Sequence, residues 1–281
     1  MMREINVKEV TALIKEMCIE VNHELSPDMK AALENAAENE TSELGKQILE
    51  QLKKNLQIAK EDMIPICQDT GMAVIFAEIG QDVHFVGGLL EDAVNEGVRR
   101  GYIDGYLRKS VVDDPIIRKN TNDNTPAVVH YTMVPGEKCS FTLAPKGFGS
   151  ENMSRIFMLK PADGIEGVKN AILTAVKDAG PNACPPIVVG VGIGGTFEKC
   201  ALMSKKALTR EVGKHSEIQY VAELEKEMLE KINALGIGPA GLGGSTTALA
   251  VNIETFPTHI AGMPVAVNIC CHVNRHITKE L

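Results

Sequence analysis

Three helices are predicted for the first 62 residues from the spacing of apolar positions. In Val7–Met17 the apolar side chains recur every three or four residues, which places them on one face of a helix. A second helix is predicted to follow Pro27, because proline suits a first helical turn, and a third covers Ser42–Asp62. The charged outer faces of these helices are expected to be solvated surface.

From residue 63 onward, short apolar strands bounded by glycine and proline alternate with amphipathic helices. The predicted strands are Met72–Ile79, Val128–Val134, Lys138–Leu143, Ile187–Val191, Ala248–Ile253 and Val265–Ile269. The predicted helices are Leu90–Arg100, Ile165–Asp178, Thr196–Arg210 and Ile218–Leu235. No low-complexity linker or internal repeat interrupts this alternation. We therefore predict an α/β fold in one domain of residues 1–281, with residues 1–62 as a mainly helical lead-in and residues 63–281 as a mixed α/β core.

Composition and charge exclude several classes of partner. The 281 residues include 29 Lys and Arg against 37 Asp and Glu, a formal net charge of −8 at pH 7. An acidic surface repels phosphate backbones and anionic lipid, so nucleic acid and membrane surfaces are poor partners. No run of about 18 apolar residues is available to span a bilayer, and the first residues lack the apolar run of a signal peptide. A cytoplasmic location, where thiols stay reduced, is therefore expected.

Three of the seven cysteines lie in glycine- or proline-containing loops at the ends of predicted strands. They are Cys67, Cys184 and Cys271, separated by 117 and 87 residues. This wide spacing excludes a zinc ribbon or a local ferredoxin motif, and it favours a site built from several loops. Thiolates from three residues would leave one iron of a four-iron cluster open to water or substrate. Buried structural cysteines remain the alternative, because free cysteine is among the most buried residue types.

Four motifs resemble those of one known family, the class I iron-sulfur-dependent fumarate hydratases and L-tartrate dehydratases. They occur in the family's order and at similar spacing, at Cys67–Gly71 (CQDTG), Lys146–Asn152 (KGFGSEN), Ala183–Pro186 (ACPP) and Cys271–Arg275 (CHVNR). The resemblance extends from about residue 60 to the last residue. It implies a hydro-lyase for a small dicarboxylate, with a 4Fe-4S cluster held by Cys67, Cys184 and Cys271.

Two positions depart from the family pattern. Phe148 stands where the family's triple-glycine loop usually has its middle glycine. Cys270 directly precedes the third predicted ligand, Cys271, so an exchange of that ligand stays open. The structure is needed to define the backbone path of the loop that contains Phe148 and the identity of the third ligand.

The resemblance also assigns roles to residues near the predicted cluster. Gln68 and Asp69 directly follow a ligand, so Asp69 is expected to relay a proton as the catalytic residue and Gln68 to bind a substrate carboxylate. Arg108 resembles the family's carboxylate-binding arginine, whose guanidinium fork suits bidentate recognition. Gly147 and Gly149 are expected to let backbone N–H groups approach the substrate.

His259 precedes Cys271 by 12 residues, the spacing of a substrate-contacting histidine in the resembled family. Each predicted role has a structural alternative. Asp69 also fits a turn residue whose carboxylate caps nearby N–H groups. Arg108 and His259 also fit ordinary solvated surface residues, and the glycines fit a tight turn.

Two further glycine-rich runs do not predict a nucleotide site. Gly190–Gly195 lies between a strand and the start of a helix, as in a dinucleotide fingerprint. That fingerprint also requires an acidic residue at the end of an apolar strand about 20 residues later, and the sequence has none there. Gly236–Gly244 lacks the Gly-Lys-Ser/Thr of a phosphate-binding loop. This second run is expected to supply turns or close packing near the active site.

The resemblance predicts an α-type subunit that hydrates fumarate to (S)-malate, with dehydration of L-tartrate to oxaloacetate as the alternative. We favour fumarate over L-tartrate as the predicted substrate because a role in central metabolism is the commoner one in the family. Single-chain members continue beyond the segment that ends this sequence, so a separate β subunit of roughly 180 to 200 residues is expected to complete the active site in an α2β2 assembly. An iron-sulfur electron carrier or sensor and a non-enzymatic assembly protein are the alternatives from other classes.

Overall fold

Mixed sheets covered by helices make up residues 2–281, the part of the chain that the computed structural model describes. The backbone groups into two compact units. Unit 1 contains the residues up to Ser26, Leu56–Phe148 and Arg275–Leu281, and unit 2 contains Pro27–Asn55 and Gly149–Asn274. The predicted domain of residues 1–281 therefore comprises two units, and the predicted lead-in of residues 1–62 is shared between them.

Helices and short strands alternate along the chain. The helices are α1 (Val7–His23), α2 (Pro27–Asn39), α3 (Glu43–Glu61), α4 (Leu90–Asp104), α5 (Phe148–Glu151), α6 (Gly164–Ala179), α7 (Phe197–Ala207) and α8 (Gln219–Asn233). The strands are β1 (Arg3–Asn6), β2 (Met72–Gly80), β3 (Val83–Val86), β4 (Val128–Val134), β5 (Cys139–Lys146), β6 (Arg155–Leu159), β7 (Ile187–Gly194), β8 (Ala248–Phe256), β9 (Met263–Cys270) and β10 (Ile277–Glu280). Short 3₁₀ turns cover Pro161–Asp163, Gly180–Ala183 and Pro239–Gly241.

Unit 1 is built on a mixed sheet with the strand order β10-β5-β2-β4. Strand β2 pairs parallel with β4 and antiparallel with β5, and β10 pairs antiparallel with β5. Helices α1 and α4 pack against each other and share one apolar core with β2 and β5. Asn6 ends β1 and starts α1, because its side chain accepts the N–H of Lys8 at 3.0 Å and its own N–H reaches the carboxylate of Glu9 at 3.3 Å.

Unit 2 is built on a second mixed sheet with the strand order β6-β9-β7-β8. The central strand β7 pairs parallel with β8 and antiparallel with β9. Helices α6 and α8 cover one face, where Val189 and Val191 join their apolar core. On the other face Gly192 lets α7 approach closely, because a Cβ there would lie 2.1 Å from the carbonyl oxygen of Cys200. The run that starts at Gly190 therefore serves helix packing.

The mixed α/β class predicted from the sequence is confirmed, and each predicted helix and strand is present with small shifts of its ends. The sequence missed β1, β3, β6 and β10, which have four or five residues and lie at sheet edges or in a two-stranded pair. Within residues 2–281 the helices are too short or too polar to cross a membrane.

Candidate active site

The seven cysteines fall into two classes by exposure. Four of them are buried, namely Cys18, Cys139, Cys200 and Cys270. Burial raises the pKa of the first three of these thiols, which disfavours the thiolate form that a metal requires. Cys67 and Cys271 are half-buried and Cys184 is exposed. The three predicted ligands are thus the three thiols that are not buried.

The adjacent residues Cys270 and Cys271 differ because only the first belongs to the sheet. Cys270 is the last residue of β9, pairs with Val188 of β7 and is 4% exposed. Cys271 has left the strand and is half-buried. Consecutive side chains at a strand end point in opposite directions. The register of β9 therefore favours Cys271 over Cys270 as a metal ligand.

In unit 1, Asp69 organises the loop that carries Cys67 and uses all its polar groups to do so. Its N–H donates to the Sγ atom of Cys67 at 3.4 Å, and its carbonyl accepts from Nη2 of Arg275 at 2.5 Å. Its Oδ1 accepts the N–H of Gly71 at 3.0 Å, and its Oδ2 accepts the N–H of Phe148 at 2.9 Å. The capping geometry considered for Asp69 is therefore present. Each carboxylate oxygen keeps a second lone pair, so the proton-relay role stays a prediction.

Thr70 joins the same loop to the segment that carries Arg108. Its hydroxyl donates to the carbonyl of Arg108 at 3.1 Å and accepts the N–H of Arg108 at 2.9 Å. The buried hydroxyl of Tyr102 donates to the carbonyls of Thr70 at 2.7 Å and Gly71 at 3.1 Å. Burial raises the pKa of Tyr102, which keeps its hydroxyl a donor. The side chain of Arg108 is exposed, and so is that of Gln68, which belongs to the same loop as Thr70.

The two predicted glycine positions sit next to polar groups of the cysteine loops. In unit 1 a Cβ at Gly147 would lie 3.1 Å from Oδ2 of Asp69, and in unit 2 a Cβ at Gly149 would lie 3.9 Å from the carbonyl oxygen of Asn182. Phe148 begins the single helical turn α5, and its φ is not in the left-handed region. Its ring is 49% exposed. Phenylalanine therefore occupies the usual glycine position without needing glycine's conformational freedom.

In unit 2, the loops of Cys184 and Cys271 lie at the same end of the sheet. Cys184 follows the 3₁₀ turn Gly180–Ala183 and precedes β7, whereas antiparallel β9 ends one residue before Cys271. His272 joins the two loops, because its N–H lies 3.4 Å and its Nδ1 lies 3.1 Å from the carbonyl oxygen of Cys184. Cys184 itself is left-handed, with φ 52° and ψ 63°. The sheet topology thus places two of the predicted ligand loops side by side.

The glycine-rich run 236–244 packs on the Cys184 loop. The N–H of Ala240 donates to the carbonyl of Pro185 at 2.8 Å. Gly241 has φ +75°, and a Cβ there would lie 2.3 Å from the Cβ of Pro181. Glycine is required at this contact for both its conformation and its size. The predicted role of the run, turns and close packing, matches this arrangement.

Glu40 anchors the end of the glycine-rich run 236–244, a role that was not predicted from the sequence. Its side chain accepts the N–H groups of Thr41 at 2.8 Å, Ser42 at 2.9 Å, Ser245 at 2.7 Å and Thr246 at 2.8 Å. Burial raises the pKa of Glu40, but the N–H donors of Ser42, Ser245 and Thr246 outweigh burial and lower this pKa to about 2. Glu40 is 2% exposed and ionised, so it anchors the run. No local pattern around position 40 indicates this role.

His259 lies at the opposite end of the unit 2 sheet from Cys184 and Cys271. It occupies an exposed turn between β8 and β9, and Nδ1 accepts the N–H of Ala261 at 3.2 Å, which leaves Nε2 as the ring's donor. Strand β7, which separates the two ends, has eight residues and so spans about 25 Å. Within unit 2 the structure therefore does not bring His259 to the two cysteines.

The donor chemistry of these loops fits a thiophilic metal centre. The three accessible thiols are soft donors of the kind that iron-sulfur clusters use, and the sulfur of Cys67 accepts the N–H of Asp69. Among residues 2–281, no group of three or more His, Cys, Asp or Glu side chains already forms a metal site. The fit therefore rests on the accessibility and surroundings of each thiol.

Comparison with known proteins gives concordant matches. Residues 11–280 match the family model described as fumarate hydratase (Fumerase). The chain is 40% identical over 280 residues to the putative L(+)-tartrate dehydratase subunit alpha of Methanocaldococcus jannaschii, covering 97% of this chain and 98% of that protein. It is 30% identical over 275 residues to the L(+)-tartrate dehydratase subunit alpha of Escherichia coli (strain K12), covering 97% and 90%.

Proposed function

Because the chain belongs to the fumarate hydratase (Fumerase) family, we propose that it is the α subunit of an iron-sulfur hydro-lyase that interconverts fumarate and (S)-malate. Membership over residues 11–280 makes it a hydro-lyase, and the substrate and the cofactor are the finer parts of the proposal. The observation that carries the cofactor is that Cys67, Cys184 and Cys271, each within a family-like motif, are the thiols left unburied.

The proposed cofactor is a 4Fe-4S cluster held by these three cysteines. When bound, it supplies an iron without a protein ligand, which acts as a Lewis acid on the hydroxyl of the substrate. The exposed guanidinium of Arg108, next to the Cys67 loop, supports a substrate site rather than an electron carrier or sensor. An electron carrier needs no carboxylate anchor at its cluster. Buried structural cysteines do not account for three thiols that are accessible.

The residues of the Cys67 loop are proposed to orient the substrate and move a proton. Arg108 binds one carboxylate through two parallel N–H donors, and Thr70 fixes its backbone for that purpose. Gln68 donates its amide N–H to the same end of the substrate. Asp69 takes the proton that leaves water during hydration and returns it to the departing hydroxyl during dehydration, using the lone pairs left on its carboxylate. The proton that is added to the neighbouring carbon in hydration, and removed from it in dehydration, is exchanged with a group of the proposed β subunit.

Gly147, Gly149 and His259 have supporting roles in the proposal. Backbone N–H groups near Gly147 and Gly149 approach the anionic end of the substrate, since a missing Cβ leaves the backbone accessible. His259 lies about 25 Å from the cysteine end of its own sheet. A substrate contact by His259 therefore requires a second copy of the chain, which the proposed α2β2 assembly would supply.

A separate β subunit is proposed to complete the active site. The matched proteins are named as alpha subunits of L(+)-tartrate dehydratases, and the chain covers at least 90% of the length of the two described above. These names also favour L(+)-tartrate as the second candidate substrate. A pocket that hydrogen-bonds the additional hydroxyl of tartrate would discriminate strongly, whereas one that only tolerates it would not.

The test is a kinetic comparison of the reconstituted complex. The chain, purified anaerobically, is loaded with iron and sulfide and mixed with its β subunit, and kcat/KM is measured for fumarate, (S)-malate and L-tartrate. We expect higher values for fumarate and (S)-malate. A tartrate value about tenfold above malate, equivalent to about 1.4 kcal/mol of transition-state preference, would reassign the substrate. A wild-type chain that takes up no iron would contradict the proposed 4Fe-4S cofactor.

A further inference from the structure

One arginine of unit 1 is buried with most of its donors unused. Arg275 is 4% exposed, and only its Nη2 donates, to the carbonyl of Asp69 at 2.5 Å. Its Nε and Nη1 atoms are buried and have no hydrogen-bond partner within residues 2–281. The same part of the chain supplies no carboxylate in ion-pair contact with it. Burying an uncompensated guanidinium costs several kcal/mol, so this arrangement indicates an absent anionic partner.

The position of Arg275 indicates what that partner is. The backbone of Asp69 connects the guanidinium to a predicted metal ligand, because the N–H of this residue reaches Sγ of Cys67 at 3.4 Å and its carbonyl accepts from Arg275. The Asp69 carboxylate is not that partner, because its oxygens accept the N–H groups of Gly71 and Phe148 and within residues 2–281 neither Nε nor Nη1 of Arg275 reaches an acceptor. The guanidinium and the sulfur of Cys67 therefore share Asp69 as a common hydrogen-bond partner.

We propose that Arg275 donates its Nε–H and Nη1–H groups to the sulfur atoms of the iron-sulfur cofactor at Cys67, acting as a positioning and charge-compensating residue. This inference rests on the proposed cluster. Thiolates and sulfides make such a cluster anionic, and hydrogen bonds to its sulfurs raise its reduction potential. Arginine suits the role because its planar fork stays charged and can bind the Asp69 carbonyl and the sulfurs in different directions.

Arg275→Gln should affect the empty and the loaded protein differently. In the empty chain, Arg275→Gln removes the cost of an unpaired buried charge but also the hydrogen bond from Nη2 to the Asp69 carbonyl, and because these two effects oppose each other the stability should not fall. In the loaded chain the same substitution removes donors to sulfur, so the cluster should have a lower reduction potential and lose iron faster. Outer partners of metal ligands typically change metal affinity by about 10- to 100-fold. A residue that only braced the Asp69 carbonyl would destabilise the empty chain instead.

The experiment compares Arg275→Gln and Arg275→Lys with the matched control Arg3→Gln. Arg3 also belongs to unit 1 and also donates to backbone oxygens, those of Glu137 at 2.8 Å and Leu281 at 2.5 Å. Each full-length chain is reconstituted anaerobically. The midpoint potential of the cluster, the rate of iron release to a chelator and the melting temperature of the empty chain are then measured.

We expect about tenfold faster iron release and a lower midpoint potential for Arg275→Gln, intermediate values for Arg275→Lys and wild-type values for Arg3→Gln. Equal release rates and potentials in the Gln variants at 275 and 3 would overturn the proposal, as would a changed KM for substrate with an unchanged potential. If Arg275→Gln does not fold, Arg275→Lys decides by the same criteria. A wild-type chain without iron would instead overturn the proposed function, and this inference with it.

Discussion

The Cys67 loop of unit 1 and the Cys184 loop of unit 2 are stabilised in different ways. Around Cys67, Asp69 and Thr70 provide hydrogen bonds from within the motif itself. The Cys184 loop instead packs on a glycine-rich run that is anchored by Glu40, a residue 144 positions earlier in the sequence. The first loop is therefore held by side chains of its own motif, which bond to each other's backbone and to Arg108 and Phe148, whereas the second depends on a buried carboxylate remote from it in the sequence.

The largest expected effect breaks the remote support of the Cys184 loop. Glu40→Gln should destabilise the chain by about 3 kcal/mol, because a buried carboxylate that accepts several N–H groups is replaced by an amide with one acceptor oxygen. Hydrogen exchange should increase in residues 180–186 and stay unchanged in residues 67–71. The exposed Glu43→Gln is the matched control. Equal increases in both loops would contradict the distinction between them.

The stability difference between wild type and Glu40→Gln should also depend on pH. The pKa of Glu40 is lowered from 4.5 to about 2 in the folded protein, so its contribution is fully present above pH 4.5 and is lost as the pH falls towards 2. Urea unfolding at pH 7, 5 and 3 should therefore give a difference that is constant between pH 7 and 5 and smaller at pH 3. A stability difference that grows as the pH falls would contradict a lowered pKa for Glu40 in the folded protein.

The second expected effect breaks the local support of the Cys67 loop. Asp69→Ala should cost about 2 kcal/mol, because the N–H groups of Gly71 and Phe148 lose their acceptors. If Asp69 also moves the proton, activity should fall by about 10²- to 10⁴-fold. Asp69→Asn, which keeps one acceptor oxygen, should recover part of the stability but not the activity. Full activity in Asp69→Asn would limit this residue to a structural role.

A smaller effect is expected beneath the same loop. Tyr102→Phe removes the hydroxyl that donates to the carbonyls of Thr70 and Gly71, and it should cost about 1 to 2 kcal/mol. Iron content should stay near that of the wild type, since the loop keeps its other bonds. Thermal unfolding and iron assays measure these two quantities. A loss of iron without a loss of stability would assign the hydroxyl a direct role at the cofactor.

The smallest effect tests the departure from the family pattern. Phe148→Gly should cost no more than about 1 kcal/mol, the usual entropic penalty of glycine, because the ring is 49% exposed and its φ is ordinary. Cluster content should be unchanged. A clear gain in activity or iron retention would show that Phe148 restricts the site.

The difference between the two loops also explains what could be predicted from the sequence. Gln68 and Asp69 directly follow Cys67 in one motif, so the proximity of these three residues follows from the chain itself. The helices and central strands were predictable because their apolar periodicity is strong. Glu40 was not, because its partners lie 205 and 206 positions later and no spacing rule connects them.

Two further residues show the limits of motif reasoning. Arg275 stood inside the CHVNR motif, but its unused donors become visible only when burial and hydrogen bonds are known. The spacing between His259 and Cys271 gave no distance in space, because β9 lies between them and separates the two by its length. A motif shows which residues are close in sequence, whereas the strand order and direction in the sheet determine which residues are close in space.

The central claim is that Cys67, Cys184 and Cys271 hold one cluster. Its most direct test is the iron and sulfide content of four single Cys→Ser variants, at 67, 184, 271 and 270, after anaerobic reconstitution. The first three should lose the four-iron cluster, whereas Cys270→Ser should retain it, because Cys270 is buried at the end of β9. Retention of the cluster in Cys271→Ser together with its loss in Cys270→Ser would contradict the assignment.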